Sequence, residues 1–149
     1  MNPTTSASPT LSIARTFDAP RERVFAAFTD AAIVRQWFAP DGTVDEAHWD
    51  ARAGGTFRIA MTVANGEVYI VSGTFSAVRP PEHLAFSFRW AEDDPALERD
   101  TFVSIDFIGR GTRTEMTFVQ THFRDDESRD NHRSGWTASL DNLAALLAK

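Results

Sequence analysis

At 149 residues the chain is long enough for one domain with a sizeable core. Fifteen basic residues against twenty-one acidic ones leave a net charge of −6 with no Lys/Arg cluster, so the footprint of phosphate-backbone binding is missing and nucleic acid is not an expected partner. The lack of cysteine removes disulfides, thiolate nucleophiles and thiolate metal sites, and suits a reducing compartment.

The first ten residues, MNPTTSASPT, carry neither an apolar run nor a basic flank. They read as a disordered tail ahead of a single domain over residues 11–149, not as a signal peptide. No apolar stretch is long enough to cross a bilayer, so no membrane insertion is expected and a cytoplasmic location follows by default. Leu11 to Phe17 alternates apolar and polar side chains, a first strand whose pattern Arg15 interrupts. Pro20 and Glu22 then suit a helix start, and Val24, Ala27 and Phe28 form an apolar stripe that ends near Thr29 or Asp30. A second short helix pairs Ile33 with Trp37 and Val34 with Phe38, and Pro40-Asp41-Gly42 stops it.

From Thr43 the period falls from about four residues to two, the mark of strands. Thr43–Asp50 is one. Phe57, Ile59, Met61 and Val63 alternate through the next, up to the Asn65-Gly66 hairpin signal. Tyr69, Val71, Gly73 and Phe75 share a face of the following strand, which Pro80-Pro81 closes. Leu84, Phe86, Phe88 and Trp90 make the largest same-face series. AEDDPALERD then reads as a solvated loop, since it lacks the spacing and central glycine of a calcium loop. Val103, Ile105 and Phe107 lead to Gly109-Arg110-Gly111, a turn between strands with no helix behind it to hold a phosphate. Met116, Phe118, Gln120 and His122 share one face of the last strand, and Asp125, Asp126 and Glu127 supply a cap and negative charge for a final helix. On that helix Trp136, Leu140, Leu143 and Leu147 recur at steps of four, three and four, an apolar stripe that needs a sheet to lie on. The expected fold is α+β: a curved antiparallel sheet of about seven strands, in the order β-α-α-β6-α, wrapped around a long C-terminal helix.

That order, with the stretches DARAGGTFRI (50–59), SGTFSAVRPPEHLAFSFRW (72–90) and SGWTASLDNLAALLA (134–148), resembles the SRPBCC superfamily, the START-like or helix-grip fold. Trp37-Phe38-Ala39-Pro40 also fits. Within the superfamily the chain looks like the family named after the activator of the heat-shock-protein-90 ATPase. The resemblance implies a cavity between the concave face of the sheet and the terminal helix. The alternation allows one. Phe57, Met61, Tyr69, Phe75, Phe86, Phe88, Phe107, Met116 and Phe118 would converge under Trp136 and Leu140, with Tyr69, Gln120 and His122 as polar handles and Trp37 and Phe38 walling the opening. Aromatic stripes at strand spacing also build ordinary core, so the expectation belongs to the group. Gly135, beside Trp136, points either to close backbone packing or to room left for a ligand.

The four histidines are the candidates for proton transfer near neutral pH. His83 is expected to be exposed, at most one of His48 and Trp49 faces the cavity, and His122 and His132 are placed to approach each other at its mouth. A metal would need a further ligand such as Glu46 or His48, which no HxH or HExxH pattern fixes, so no metal and no cofactor are expected. No G-x-S-x-G elbow is present. The reading that follows is a binding protein for a small hydrophobic or amphipathic molecule, such as a lipid, an aromatic metabolite or a polyketide, with a binding protein favoured over an enzyme. The alternatives are a cyclase, dehydratase or hydrolase using the same cavity through His122, His132, Tyr69 or Glu46, and a stress-related co-chaperone acting on a heat-shock protein. The co-chaperones that gave the family its name carry an additional domain ahead of this one, where this sequence has a short polar tail. Exposed sheet edges and an aromatic mouth would also suit a homodimer.

Overall fold

The computed structural model describes residues 9–39 and 42–149. The tail expected over residues 1–10, apart from Pro9 and Thr10, and the Pro40-Asp41 stop lie outside the described residues. Alternation builds the first strand, β1 (Leu11–Phe17), with both end residues buried and Ser12, Ala14 and Thr16 exposed. Arg15, which interrupts the pattern, does point to the buried side. Its guanidinium reaches over Phe17 and ends 2.8 Å from Asp141, so the charge is met at the edge of the core and not within it.

Helices α1 (Arg21–Thr29) and α2 (Ala31–Trp37) follow with Asp30 alone between them. Extended backbone at Asp30 ends the first helix, and its carboxylate accepts from Ala32 N at 2.9 Å to cap the second. Six strands come next, β2 (Thr43–Trp49), β3 (Thr56–Thr62), β4 (Val68–Arg79), β5 (His83–Trp90), β6 (Thr101–Arg110) and β7 (Arg113–Thr121), and then the long helix α3 (Asp126–Leu147). Asp125 caps α3 by accepting from Ser128 N at 2.8 Å.

All seven strands form one antiparallel sheet in the order β1-β7-β6-β5-β4-β3-β2. The helix pair α1–α2 carries the chain from one edge strand, β1, to the other, β2; the meander from β2 to β7 then returns it to β1. Register shifts at Val44/Glu46 and Phe75/Ala77 bend the sheet so that one face becomes concave. On that face lie Phe57, Ile59, Val71, Phe75, Leu84, Phe86, Val103, Ile105, Met116 and Phe118, all buried. The buried stripe of α3, Trp136, Leu140, Leu143 and Leu147, closes over them, with Ser139 joining it. This is the expected helix-grip architecture.

Two local features fix the floor of the grip. Trp49 turns inward against Phe57, Phe75 and Phe86 with ring centroids at 4.8, 5.3 and 6.2 Å, while its indole donates to Phe28 O at 2.9 Å, so one side chain ties β2 to α1. Gly73 lies where any Cβ would run into the Ser87 carbonyl oxygen and the Phe57 ring. Only glycine lets β4 pass that close. Among the described residues no helix is long and apolar enough to cross a membrane.

Candidate functional site

The grip does not close everywhere. Beyond the end of α2, where β3, β4 and β5 run out from beneath the helices, a cavity of about 450 Å³ remains between the sheet and the first half of α3. That volume lies inside the range of roughly 300–1,000 Å³ typical of small-molecule pockets. Phe38 lines it from the end of α2, Met61, Val63 and Tyr69 from β3, its turn and β4, and Phe88, Trp90, Ala91 and Glu92 from β5 and the loop after it. Asn131, His132, Gly135, Trp136 and Ser139 close it from α3.

The polar groups in these walls are engaged with one another. Trp90 Nε1 donates to His132 Nε2 at 2.9 Å, and His132 Nδ1 lies 2.7 Å from Ser128 O. Nε2 is therefore the bare acceptor and Nδ1 carries the proton, which fixes one neutral tautomer. Burial pushes the His132 pKa down, offset in part by the bond to the Ser128 carbonyl. Trp136 Nε1 donates to Gln120 Oε1 at 2.8 Å, Gln120 Nε2 to Thr101 Oγ1 at 2.8 Å, and Thr101 Oγ1 to Phe88 O at 2.8 Å. Ser139 Oγ donates to Phe38 O at 2.9 Å and so fastens α3 to the end of α2. On the far side of the Trp90–His132 pair lies a second cavity of about 60 Å³, reached also by Leu97, Arg99, Thr101 and Arg124.

Of the side chains expected to line a cavity, Met61, Tyr69, Phe88, His132 and Trp136 do so. The others belong to the core. Phe57, Phe75 and Phe86 form the aromatic floor around Trp49. Phe107 is covered by α1, with Phe25 and Phe28 at 5.3 and 5.4 Å. Met116 is buried in the core, Phe118 packs on Trp136 of α3 at 4.8 Å, and Leu140 lies on the buried stripe of α3 itself. Trp37 is buried against Phe28 and donates to Ala27 O at 3.0 Å, which leaves Phe38 as the aromatic that reaches the opening. Gln120 has no exposure, and both ends of its amide are engaged, Oε1 by Trp136 and Nε2 by Thr101.

His122 departs furthest from expectation. The alternation of β7 ends at Thr121, and His122 takes a left-handed φ of 73° that turns it to the outer face, where its ring meets Phe102 at 4.9 Å. Phe123 occupies the inward place instead and packs against His132 with the rings tilted and their centroids 4.8 Å apart. The two histidines therefore do not share the mouth. His83 is half-buried and paired with Asp106 at 2.9 Å, where exposure was expected. His48 is exposed, and Glu46 is engaged by Arg58, so neither stands in the cavity. Among the described residues no group of three His, Asp or Glu side chains is placed to hold a metal ion.

Several lining residues had no sequence signal. Glu92 and Asn131 lie on a loop and off the helix stripe, where no periodicity marks them. Trp90 was legible as the end of the β5 aromatic series, whereas its pairing with His132, 42 residues away, was not. Gly135 resolves the choice left open by the sequence: a Cβ there would meet nothing within 4 Å, so the glycine leaves space and is not demanded by packing.

An antiparallel sheet that grips a long terminal helix and leaves an aromatic cavity beside it defines a helix-grip domain. The family model described as "Activator of Hsp90 ATPase homolog 1-like protein" matches residues 18–148, and the chain belongs to that family. It is similar in structure to a protein of the same family from Silicibacter pomeroyi, with 32% identity, a TM-score of 0.84 and coverage of 94% of this chain and 98% of that one. It is also similar to a protein from Chromobacterium violaceum, with 28% identity, a TM-score of 0.85 and coverage of 94% and 97%. No curated protein matches the chain.

Proposed function

We propose that the protein binds a small hydrophobic molecule in the cavity between β3–β5 and α3. The observation that carries this reading is the combination of a 450 Å³ space with walls built from Phe38, Met61, Tyr69, Phe88, Trp90 and Trp136. An apolar ligand that buries about 200 Å² there gains roughly 5 kcal/mol. Association costs roughly 4–15 kcal/mol, so affinity depends on how little the walls must reorganise. Here they are pre-set: the Trp90–His132, Trp136–Gln120 and Ser139–Phe38 bonds hold two indoles and the helix in place before any ligand arrives.

Native mass spectrometry of protein purified without detergent tests the proposal. The expected result is one small apolar molecule per chain, released on unfolding, or uptake of one molecule of the neutral probe N-phenyl-1-naphthylamine by a bare chain. A bare chain that also refuses the probe would contradict it.

A further inference from the structure

The polar groups of the cavity also restrict what kind of hydrophobic molecule fits, an inference that rests on the ligand-binding reading above. The donors fixed in its walls are already used. Trp90 Nε1 is held by His132, Trp136 Nε1 by Gln120, Ser139 Oγ by the Phe38 carbonyl and His132 Nδ1 by the Ser128 carbonyl. A ligand whose polar end only accepts hydrogen bonds finds Tyr69 and Asn131 and little else.

The charges point the same way. Glu92 follows β5 at the mouth, is exposed, and lines both the larger and the smaller cavity. Among the described residues no cation pairs with its carboxylate, and with His132 neutral it is the one ionised side chain lining the larger cavity. The arginines nearby, Arg99 and Arg124, line the smaller cavity, beyond the Trp90–His132 pair. Arg99 Nε already donates to His122 O at 2.6 Å, and Arg124 lies 3.6 Å from Asp125.

Beside Glu92 the rings of Tyr69 and Trp90 meet edge to face, 6.2 Å apart at 79°. Two aromatic walls at a right angle make a corner whose negative ring faces attract a cation. A net charge of −6 raises the local concentration of cations further. We propose that the cavity selects hydrophobic molecules bearing a protonated amine, with the tail between Phe88, Met61 and Trp136 and the ammonium in the Tyr69–Trp90 corner beside Glu92. A carboxylate on the same tail meets Glu92 instead of a counter-ion and is disfavoured.

Three probes with one tail test this: decylamine, 1-decanol and decanoate, titrated into the full chain near neutral pH below their aggregation limits and followed by indole fluorescence. Decylamine is expected to bind more tightly than decanol, and decanol more tightly than decanoate. Glu92→Gln should weaken decylamine by about fivefold, the loss of one partly desolvated charge contact, and narrow the gap between decylamine and decanol by that factor. Glu22→Gln removes an equal charge from the exposed first turn of α1 and should change neither. Decanoate binding as tightly as decylamine, or decylamine binding undiminished by Glu92→Gln, would overturn the headgroup assignment while saturable decanol binding upheld the cavity. Failure of all three probes would overturn both.

Discussion

Trp90 and His132 are joined by a 2.9 Å hydrogen bond that spans 42 residues of sequence, links β5 to α3, and separates the larger cavity from the smaller one. The bond exists only while His132 is neutral, because a protonated imidazole has two donors and cannot accept from an indole N–H. Phe88 and Phe123 pack on the same imidazole at 6.2 and 4.8 Å, so the ring is held by aromatic contacts on top of its two hydrogen bonds.

This arrangement gives stability a definite pH dependence. Burial lowers the His132 pKa from its ordinary 6.5, so over a window starting at that value and extending below it the unfolded chain binds a proton at this residue and the folded chain does not. The contribution of the neutral pair is complete above that window and is lost as the pH falls through it. Between about pH 7.5 and about pH 5 the urea midpoint of the parent should therefore fall more than that of His132→Phe, whose absolute stability is lower but whose slope is flatter. Equal slopes would show that His132 is not the group responsible.

Gly135 predicts opposite changes in stability and binding. Its Cβ position is open and its backbone is helical, so Gly135→Ala should stabilise the protein by about 1 kcal/mol. Gly135→Leu should fold as well as the parent and lose ligand, because the added side chain occupies the cavity that Gly135 lines. Urea titration reads the first effect and probe uptake the second.

Gln120 is a structural residue on this account. Gln120→Leu keeps the volume but strips Trp136 Nε1 of its acceptor and Thr101 Oγ1 of its donor in a site with no exposure. An expected loss of about 2–3 kcal/mol follows from the unsatisfied indole. A loss within measurement error would mean that a water replaces the amide.

Gly73→Ala should be among the most damaging small substitutions. The new methyl would run into a backbone carbonyl, Ser87 O, that cannot move without breaking the β4–β5 ladder, and into the Phe57 ring beneath it. About 3 kcal/mol of destabilisation is expected from such overpacking, measured by chemical denaturation.

The strands and the terminal helix were legible because half-buried elements carry their period in the chain: β6 and β7 alternate cleanly, and Trp136, Leu140, Leu143 and Leu147 fall on one stripe. The same alternation states which face a residue takes and nothing about what covers it. Phe107 and Phe88 both face inward, yet Phe107 lies under α1 and Phe88 beside open space. That difference depends on where α1, α2 and α3 end relative to the sheet, which no local pattern encodes. His122 leaves the face that the β7 alternation predicts because a single left-handed residue reverses a strand's phase without any sequence mark, a conformation uncommon outside glycine. Glu92 and Asn131 were silent because loops and helix shoulders carry no period at all.

The most direct measurement is the uptake of N-phenyl-1-naphthylamine by the parent and by Gly135→Phe, read as energy transfer from the cavity tryptophans Trp90 and Trp136 and paired with a urea titration of each. Saturable one-to-one uptake by the parent, its loss in Gly135→Phe, and a variant no less stable than the parent are the expected results. Equal uptake by both proteins, or none by the parent, would show that the space between β3–β5 and α3 is not a binding site.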